Sequence, residues 1–363
     1  MKTALFSTTF AAALLVCQAS AQAQSSVTIS GVVDAYVGST QLSGGQRQSR
    51  VDSGGMTTSQ LNFDGVEDIG SGIKAEFALG MFLRADTGAG GRSDADPLFG
   101  RRAFAGLKGD FGTVRLGRQS SNSFLTMLRT NSLGDSAAFS PVFLHTFRNP
   151  VGQGTQFLSA GAPPISRTLT GALGTTDSVW NNALGYISPT IGGFTVSALY
   201  APGEAAGIGN RKELNVFYAD GPLNLAFAVD KFAAASVPAS GPAAAAFQGQ
   251  TSVQMAAAYA FGFARLSAGY FNHKRNYTTV VDDKISTFHM GASIPVGAGA
   301  VLLQAAQSRQ SPNVGASTKR TTTTVAYDYN FSKRTDAYVI YMNDKFSNLA
   351  SGSSFVVGIR HRF

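Results

Sequence analysis

The stretch FVVGIRHRF, residues 355–363, decides the fold. Side chains two apart lie on one face of a β-strand. Read in twos, Phe355, Val357, Ile359, His361 and Phe363 form one face, and Val356, Gly358, Arg360 and Arg362 form the other. One face is greasy and ends on an aromatic ring; the other carries two arginines. A strand of this kind separates an apolar medium from water.

The same alternation recurs along the chain. Ile73, Phe77, Leu79, Met81 and Leu83 oppose Lys74, Glu76, Gly80 and Arg84. Leu214, Val216 and Tyr218 oppose Glu213 and Asn215, and Leu223, Leu225, Phe227 and Val229 oppose Asn224 and Asp230. Leu266, Ala268 and Tyr270 oppose Arg265 and Ser267, and Val325, Tyr327 and Tyr329 oppose Thr324, Asp328 and Asn330. A soluble sandwich would alternate too, so the connections decide. Short turns (68–72, 109–112, 189–193, 220–222, 260–262, 295–299, 331–334) take turns with longer polar loops (40–55, 87–97, 201–210, 232–250, 274–283, 311–319, 345–352). That asymmetry belongs to an up-and-down transmembrane barrel, with tight turns at one rim and loops at the other.

Sixteen strands are predicted: 27–38, 57–67, 73–85, 99–108, 113–119, 179–188, 194–200, 211–219, 223–231, 251–260, 263–273, 284–294, 300–310, 320–330, 335–343 and 353–363. The fold class is therefore all-β, a 16-stranded antiparallel barrel. In hydrocarbon every backbone N–H and C=O needs a partner, which a sheet supplies only when it closes on itself. A barrel this wide has a lumen that side chains cannot fill, so water enters and the inner face is polar. Arg360 and Arg362 are expected to look into that water. The connection from Ser120 to Ser178 is far longer than a hairpin loop and marks a functional element.

Bulk properties agree. Residues 1–23 read as a secretory signal peptide: Lys2, an apolar run from Ala4 to Val16, and Ala21-Gln22-Ala23 as the cleavage site. The lone Cys17 lies inside it, and Val16 before it does not suit a lipoprotein anchor. The exported chain, 24–363, is thus read as one cysteine-free domain. It keeps all but one of the +8 formal charges. After the signal no apolar run approaches the ~20 residues of a membrane helix. With one tryptophan, Trp180, the interfacial belts fall to 11 Tyr and 26 Phe.

QSSVTISGVVDAYVG, QLNFDGVEDIGSGIKAEF, LFGRRAFAGLKGDFGTVRLGRQ, GYISPTIGGFTVSALY and the terminal GIRHRF together resemble the general porins of Gram-negative outer membranes, particularly the beta-proteobacterial branch. The resemblance spans the whole exported chain. It implies a homotrimer, passive diffusion of small hydrophilic solutes, and a third loop (about 120–178) folded inward to narrow the pore. It implies that Phe363 is a signal to the barrel-assembly machinery, and that the surroundings are outer-membrane lipid and lipopolysaccharide. Arg101 matches a wall arginine of the family's constriction; two further wall positions fall on Gln60 and near Val179, where this chain lacks the charge. Arg118 resembles an arginine at the subunit contact. Alternation alone leaves open which of Arg101 and Arg102 faces water; the resemblance favours Arg101, with Phe104 outward at the subunit contact.

Arg115, Lys74, Glu76 and Arg84 point inward by alternation, and the long loop adds Arg129, Arg148 and Arg167 against Asp135 and Asp177. Cations lining a narrow aqueous neck concentrate anions there, so weak anion selectivity is expected. No cofactor and no metal site is expected: His145, His273, His289 and His361 lack ligand spacing and read as rim or loop residues. Neither a P-loop nor a G-x-S-x-G elbow occurs, and basic charge without a recognised module does not indicate nucleic acid. The alternatives are a substrate-specific channel, which needs a slide of lumenal aromatics, and an enzyme on a barrel scaffold, which needs a Ser/His/acid set.

Overall fold

The computed structural model describes residues 25–94, 96–146, 178–204, 209–233, 247–277, 283–312 and 315–363. Strands β1 (Ser26–Thr40), β2 (Gln48–Ser53), β3 (Gln60–Gly70), β4 (Ile73–Phe82), β5 (Arg102–Gly109) and β6 (Gly112–Ser120) lead to helices α1 (Asn122–Thr130) and α2 (Pro141–Thr146). Then follow β7 (Val179–Ile187), β8 (Phe194–Ala201), β9 (Arg211–Asp220), β10 (Leu223–Ala233), β11 (Phe247–Ala260) and β12 (Arg265–Tyr277). The chain continues through β13 (Asp283–Val296), β14 (Gly299–Pro312), β15 (Thr318–Asn330), β16 (Thr335–Phe346) and β17 (Gly352–Arg362). Every pairing is antiparallel between neighbours, and β1 pairs β17 to close the ring. No helix among the described residues is long and apolar enough to cross a membrane.

Seventeen segments make a ring of sixteen positions. The upper half of β1 pairs β2 (Tyr36 with Asp52) and its lower half pairs β3 (Ser30 with Asn62), so β2 and β3 share one place. The sequence places 48–53 in a loop and starts the next strand at 57. The break between the two segments has a physical cause. The buried Asp34 carboxylate accepts the backbone N–H groups of Gly55 (2.9 Å), Met56 (2.9 Å) and Thr57 (2.8 Å), which draws residues 54–59 off the sheet into the lumen.

The alternation read from residues 355–363 holds. Phe355, Val357 and Ile359 are exposed on the outer face and Val356 is buried on the inner one. Phe363 exchanges backbone hydrogen bonds with Gly31 (3.0 and 3.1 Å), and its ring lies where a side chain at 31 would stand. Arg360, however, is not a water-facing residue. It is buried, with its guanidinium on Asp336 (3.0 Å), Asp328 (2.9 Å) and Thr57 (2.9 Å), while Arg362 pairs Asp336 at 2.6 Å and stays half-exposed. At the turn rim Phe194 packs on Tyr218, Tyr259 on Phe261 and Tyr329 on Phe331, an interfacial girdle of Tyr and Phe.

Candidate pore constriction

The long third loop turns inward after β6. Its first helix begins at Ser121, whose hydroxyl accepts the N–H of Phe124. A helix start leaves N–H groups without partners, and Glu213 on β9 fills that role: its carboxylate accepts from Asn122 N–H (2.6 Å) and Ser123 N–H (2.7 Å). Thr126 then meets Asn215 at 2.7 Å, and Met127 and Val142 pack on Ala256 and Phe271 of the wall.

Further along, Ser140 bonds Gln304 (2.9 Å) and Thr324 donates to the Phe139 carbonyl (2.7 Å). Arg320, paired with Asp344, donates to the Leu144 carbonyl at 3.2 Å. His145 is clamped between Ser308 and Thr322, each 2.8 Å away. Thr322 commits its own hydrogen to Asp344, so Nε2 of His145 is the donor to Thr322 and Nδ1 accepts from Ser308. Burial, with the positive Arg320 second, holds this histidine well below the usual imidazole pKa. The loop tip reaches β2–β3: Ser136 donates to the Gly55 carbonyl (2.5 Å), and Leu133 and Phe139 pack with Tyr36, Met56 and Tyr338. His145 is a loop residue, as expected, though a buried one; His273 and His289 are instead buried on the inward faces of β12 and β13, and His361 is exposed near the turn-side rim.

Pinned to β9–β16 and the kink, the described part of the loop leaves an open recess of about 320 Å³ beside β3–β8. Three arginines line it. Arg101 donates to Asn62 at 3.1 Å, Arg102 pairs Asp64 at 2.7 Å, and Arg115 pairs Glu76 at 2.6 Å. The loop side contributes Asn122 and Leu125. Arg129, at the end of α1, lies 3.8 Å over the Phe217 ring, and Arg265 donates to the Arg129 carbonyl.

Gln60 faces the lumen and is buried opposite Val32. Lys74 is inward but sits at the turn-side mouth, opposite Asp68 and Lys108. Arg84 lies beyond β4 in the second outer loop, held by Asp94 at 2.5 Å, away from the neck. Asp135 is at the loop tip, accepting from the Thr57 hydroxyl and within electrostatic reach of Arg101. Arg148, Arg167 and Asp177 lie outside the described residues. Arg118 faces outward opposite Ala103, tied to the Gly100 carbonyl at 2.7 Å.

Phe104 corrects the expected register. It pairs Ala78 on the lumenal side and carries the Arg115 guanidinium 4.6 Å over its ring, so it is not a subunit-contact residue. Arg101 still reaches the lumen because β5 starts at Arg102; a residue before the strand is free of its alternation. Both arginines consequently serve the same recess, which two-residue periodicity forbids and only the strand boundary reveals.

A family model described as Gram-negative porin matches residues 8–349. The chain belongs to the Gram-negative porin family. It is 32% identical over 342 residues to outer membrane porin protein 32 of Delftia acidovorans, covering 90% of this porin and 86% of the relative. It is 25% identical to an outer membrane porin protein of Bordetella pertussis, over 98% of this porin and 99% of that one. The solved anion-selective porin from Comamonas acidovorans superposes with a TM-score of 0.75 at 27% identity, over 93% and 100% of the two chains. OmpT of Vibrio cholerae shares the fold, with a TM-score of 0.66 at 15% identity over 94% and 100%. This porin is an outer-membrane channel protein, and its family is not a class of enzymes.

Proposed function

We propose that the protein is a general diffusion porin with weak anion selectivity, set by Arg101, Arg129 and Arg265, the arginines at the neck whose charge no ion pair among the described residues cancels. One observation carries the reading. Asp64 and Glu76, the acids of the recess, are each neutralised by an arginine, whereas Arg101, Arg129 and Arg265 make no ion pair among the described residues. Asp135 is within electrostatic reach of Arg101, and one acid set against three arginines without an ion pair leaves the balance positive. The surplus at the proposed neck is positive, and low-dielectric walls focus such a field onto permeating ions. A relative of 27% identity is described as anion-selective, which supports the same sign. The deciding experiment is the reversal potential of the purified protein in a planar bilayer under a salt gradient. An anion-selective sign is expected, and a cation-selective one overturns the reading.

The exported chain is proposed to lose residues 1–23 and to assemble as a homotrimer. The apolar outer faces of β3–β6 and the outward Arg118 support that contact, and a form of OmpT is described as a trimer. Phe363, at the closing seam, is proposed as the element that the assembly machinery reads. Crosslinking through a cysteine at position 118, followed by mass analysis of the mature chain, tests the first two points together.

A further inference from the structure

Three glycines lie under the long side chains of the recess: Gly80 on β4, Gly106 on β5 and Gly185 on β7. A glycine inside a strand weakens it and often marks a close approach. None of the three has a left-handed φ that would call for glycine. What each supplies is room.

Gly80 stands in the sheet between Asn62 on β3 and Arg102 on β5. A Cβ there would lie 2.9 Å from Asn62 Oδ1, 3.0 Å from Arg102 Cγ and 3.3 Å from Arg102 Nε. Those two side chains hold the charge of the recess in place. Asn62 accepts from Arg101, and Arg102 crosses β4 to reach Asp64 on β3. Gly106 repeats the arrangement between Glu76 and Arg115, whose ion pair passes over it. A Cβ there would stand 3.0 Å from Arg115 Cγ and 3.3 Å from Glu76 Cγ. Gly185, opposite Arg115 on the next strand, lies beneath the Gln119 amide, whose carbon and nitrogen are 3.0 and 3.1 Å from the place of a Cβ.

A long side chain on a pore wall either lies along the wall or projects toward the axis. At these positions the missing Cβ admits the first course. We propose that Gly80, Gly106 and Gly185 determine the size limit of the channel by seating Arg102, Arg115 and Gln119 flat against the wall, an assignment that rests on the channel function and not on the sign of its selectivity. The diameter left by lining side chains decides what passes a pore. A methyl group at position 80 takes the space in which Asn62 and Arg102 lie. The backbones of β3, β4 and β5 are held by their ladders, so the side chains yield, and the open recess is the side toward which they can move. At position 185 the atoms met are again those of a side chain alone. Position 106 is less suited to a test, because a Cβ there also meets the Val114 carbonyl oxygen at 2.6 Å and the backbone must shift.

The test is swelling of liposomes containing the purified full protein, driven by a neutral pentose, hexose and disaccharide. Gly80→Ala should slow disaccharide entry about twofold and pentose entry much less, the grading by size that a narrower passage imposes. Gly90→Ala, where a Cβ meets nothing within 4 Å, should match wild type at every size. In an Arg102→Ala background the added methyl has no guanidinium to displace, so Gly80→Ala should then cost little further disaccharide flux. Should Gly80→Ala fail to fold, Gly185→Ala with and without Gln119→Ala carries the same comparison. Unchanged disaccharide flux in the folded glycine variants overturns the proposal. An equal loss at all three sizes also overturns it, since that reports fewer channels and not narrower ones. So does a loss of the same size when Arg102 or Gln119 has been truncated, which would place the effect in the backbone. The sugars carry no charge, so a failure here leaves the reversal potential, and the selectivity read from it, untouched.

Discussion

Tyr338 on β16 donates a 2.5 Å hydrogen bond to the Asp34 carboxylate on β1, passing over the lumenal side of β17 at Gly358. A side chain at 358 would collide with the Tyr338 ring, so the glycine is what lets the two strands be joined over a third. Asp34 in turn gathers three backbone donors of residues 55–57, and Gly55 receives the loop tip through Ser136. A single buried carboxylate thus links barrel closure, the wall kink and the constriction loop.

Asp34→Ala leaves those three N–H groups and the Tyr338 hydroxyl without their acceptor. Each buried unsatisfied group costs roughly 1–3 kcal/mol, and partial relaxation makes roughly 3–5 kcal/mol a reasonable total. Tyr338→Phe removes one donor while the carboxylate keeps three, so about 1 kcal/mol is expected. Urea midpoints of the folded barrel, followed by its gel mobility, should rank wild type, Tyr338→Phe and Asp34→Ala in that order. Equal losses for the two variants would contradict the role given to the carboxylate.

Arg360 and Arg362 share a strand face but differ in consequence. Arg360 is buried among Asp328, Asp336 and Thr57; Arg362 contacts Asp336 from a half-exposed position. Removing one partner of a buried pair strands the other, at about 3–5 kcal/mol, whereas exposed pairs contribute about 0–1 kcal/mol. Arg360→Met should therefore lower the unfolding midpoint far more than Arg362→Met. A similar loss in both would show that Asp336 is solvated.

Alternation exposed the architecture because lipid and water impose opposite demands on successive residues, and residues 355–363 record that demand directly. The split of one strand into β2 and β3 was hidden, since it depends on Asp34 meeting residues more than twenty positions away. Phe104 was misplaced for a related reason: alternation fixes relative faces, and an error in where β5 starts inverts the assignment. Glu213 and His145 gave only a polar residue on an inward face and a histidine in a loop. Their roles arise when the loop folds back across some 90 and 160 residues of sequence, which local periodicity cannot register.

His145 makes loop anchoring sensitive to acid. Its pKa in the folded protein lies well below the ordinary value of about 6.5. A depressed value means that the neutral form is the one anchored, so the contribution is complete above about pH 6.5 and drains away as pH falls toward the folded value. Arg320 and His289 disfavour the charged ring, and Asp344 is already engaged by Arg320 and Thr322. Channel closures in planar bilayers should become more frequent between pH 7 and pH 4 in wild type. In His145→Gln, which retains hydrogen-bonding capacity without titrating, that dependence should flatten. An unaltered acid profile in the variant would assign the effect to other groups.

The sign of selectivity can be separated from the mere number of arginines. Arg115 and Glu76 are bonded at 2.6 Å and cancel, while Arg101 touches only the neutral amide of Asn62. Arg101→Gln removes uncompensated charge and should lower the anion-to-cation permeability ratio by roughly twofold, reflecting the local potential at a narrow neck. Glu76→Gln with Arg115→Gln leaves the net charge of the recess unchanged, so the ratio should stay near that of wild type. Both should be measured from reversal potentials at about 0.1 M salt, where the Debye length of about 10 Å preserves the field across the neck. Raising the salt to about 1 M shortens that length to about 3 Å and should compress the difference. If the paired double variant shifts the ratio as much as Arg101→Gln does, permeating ions respond to individual side chains and not to the summed field of the constriction.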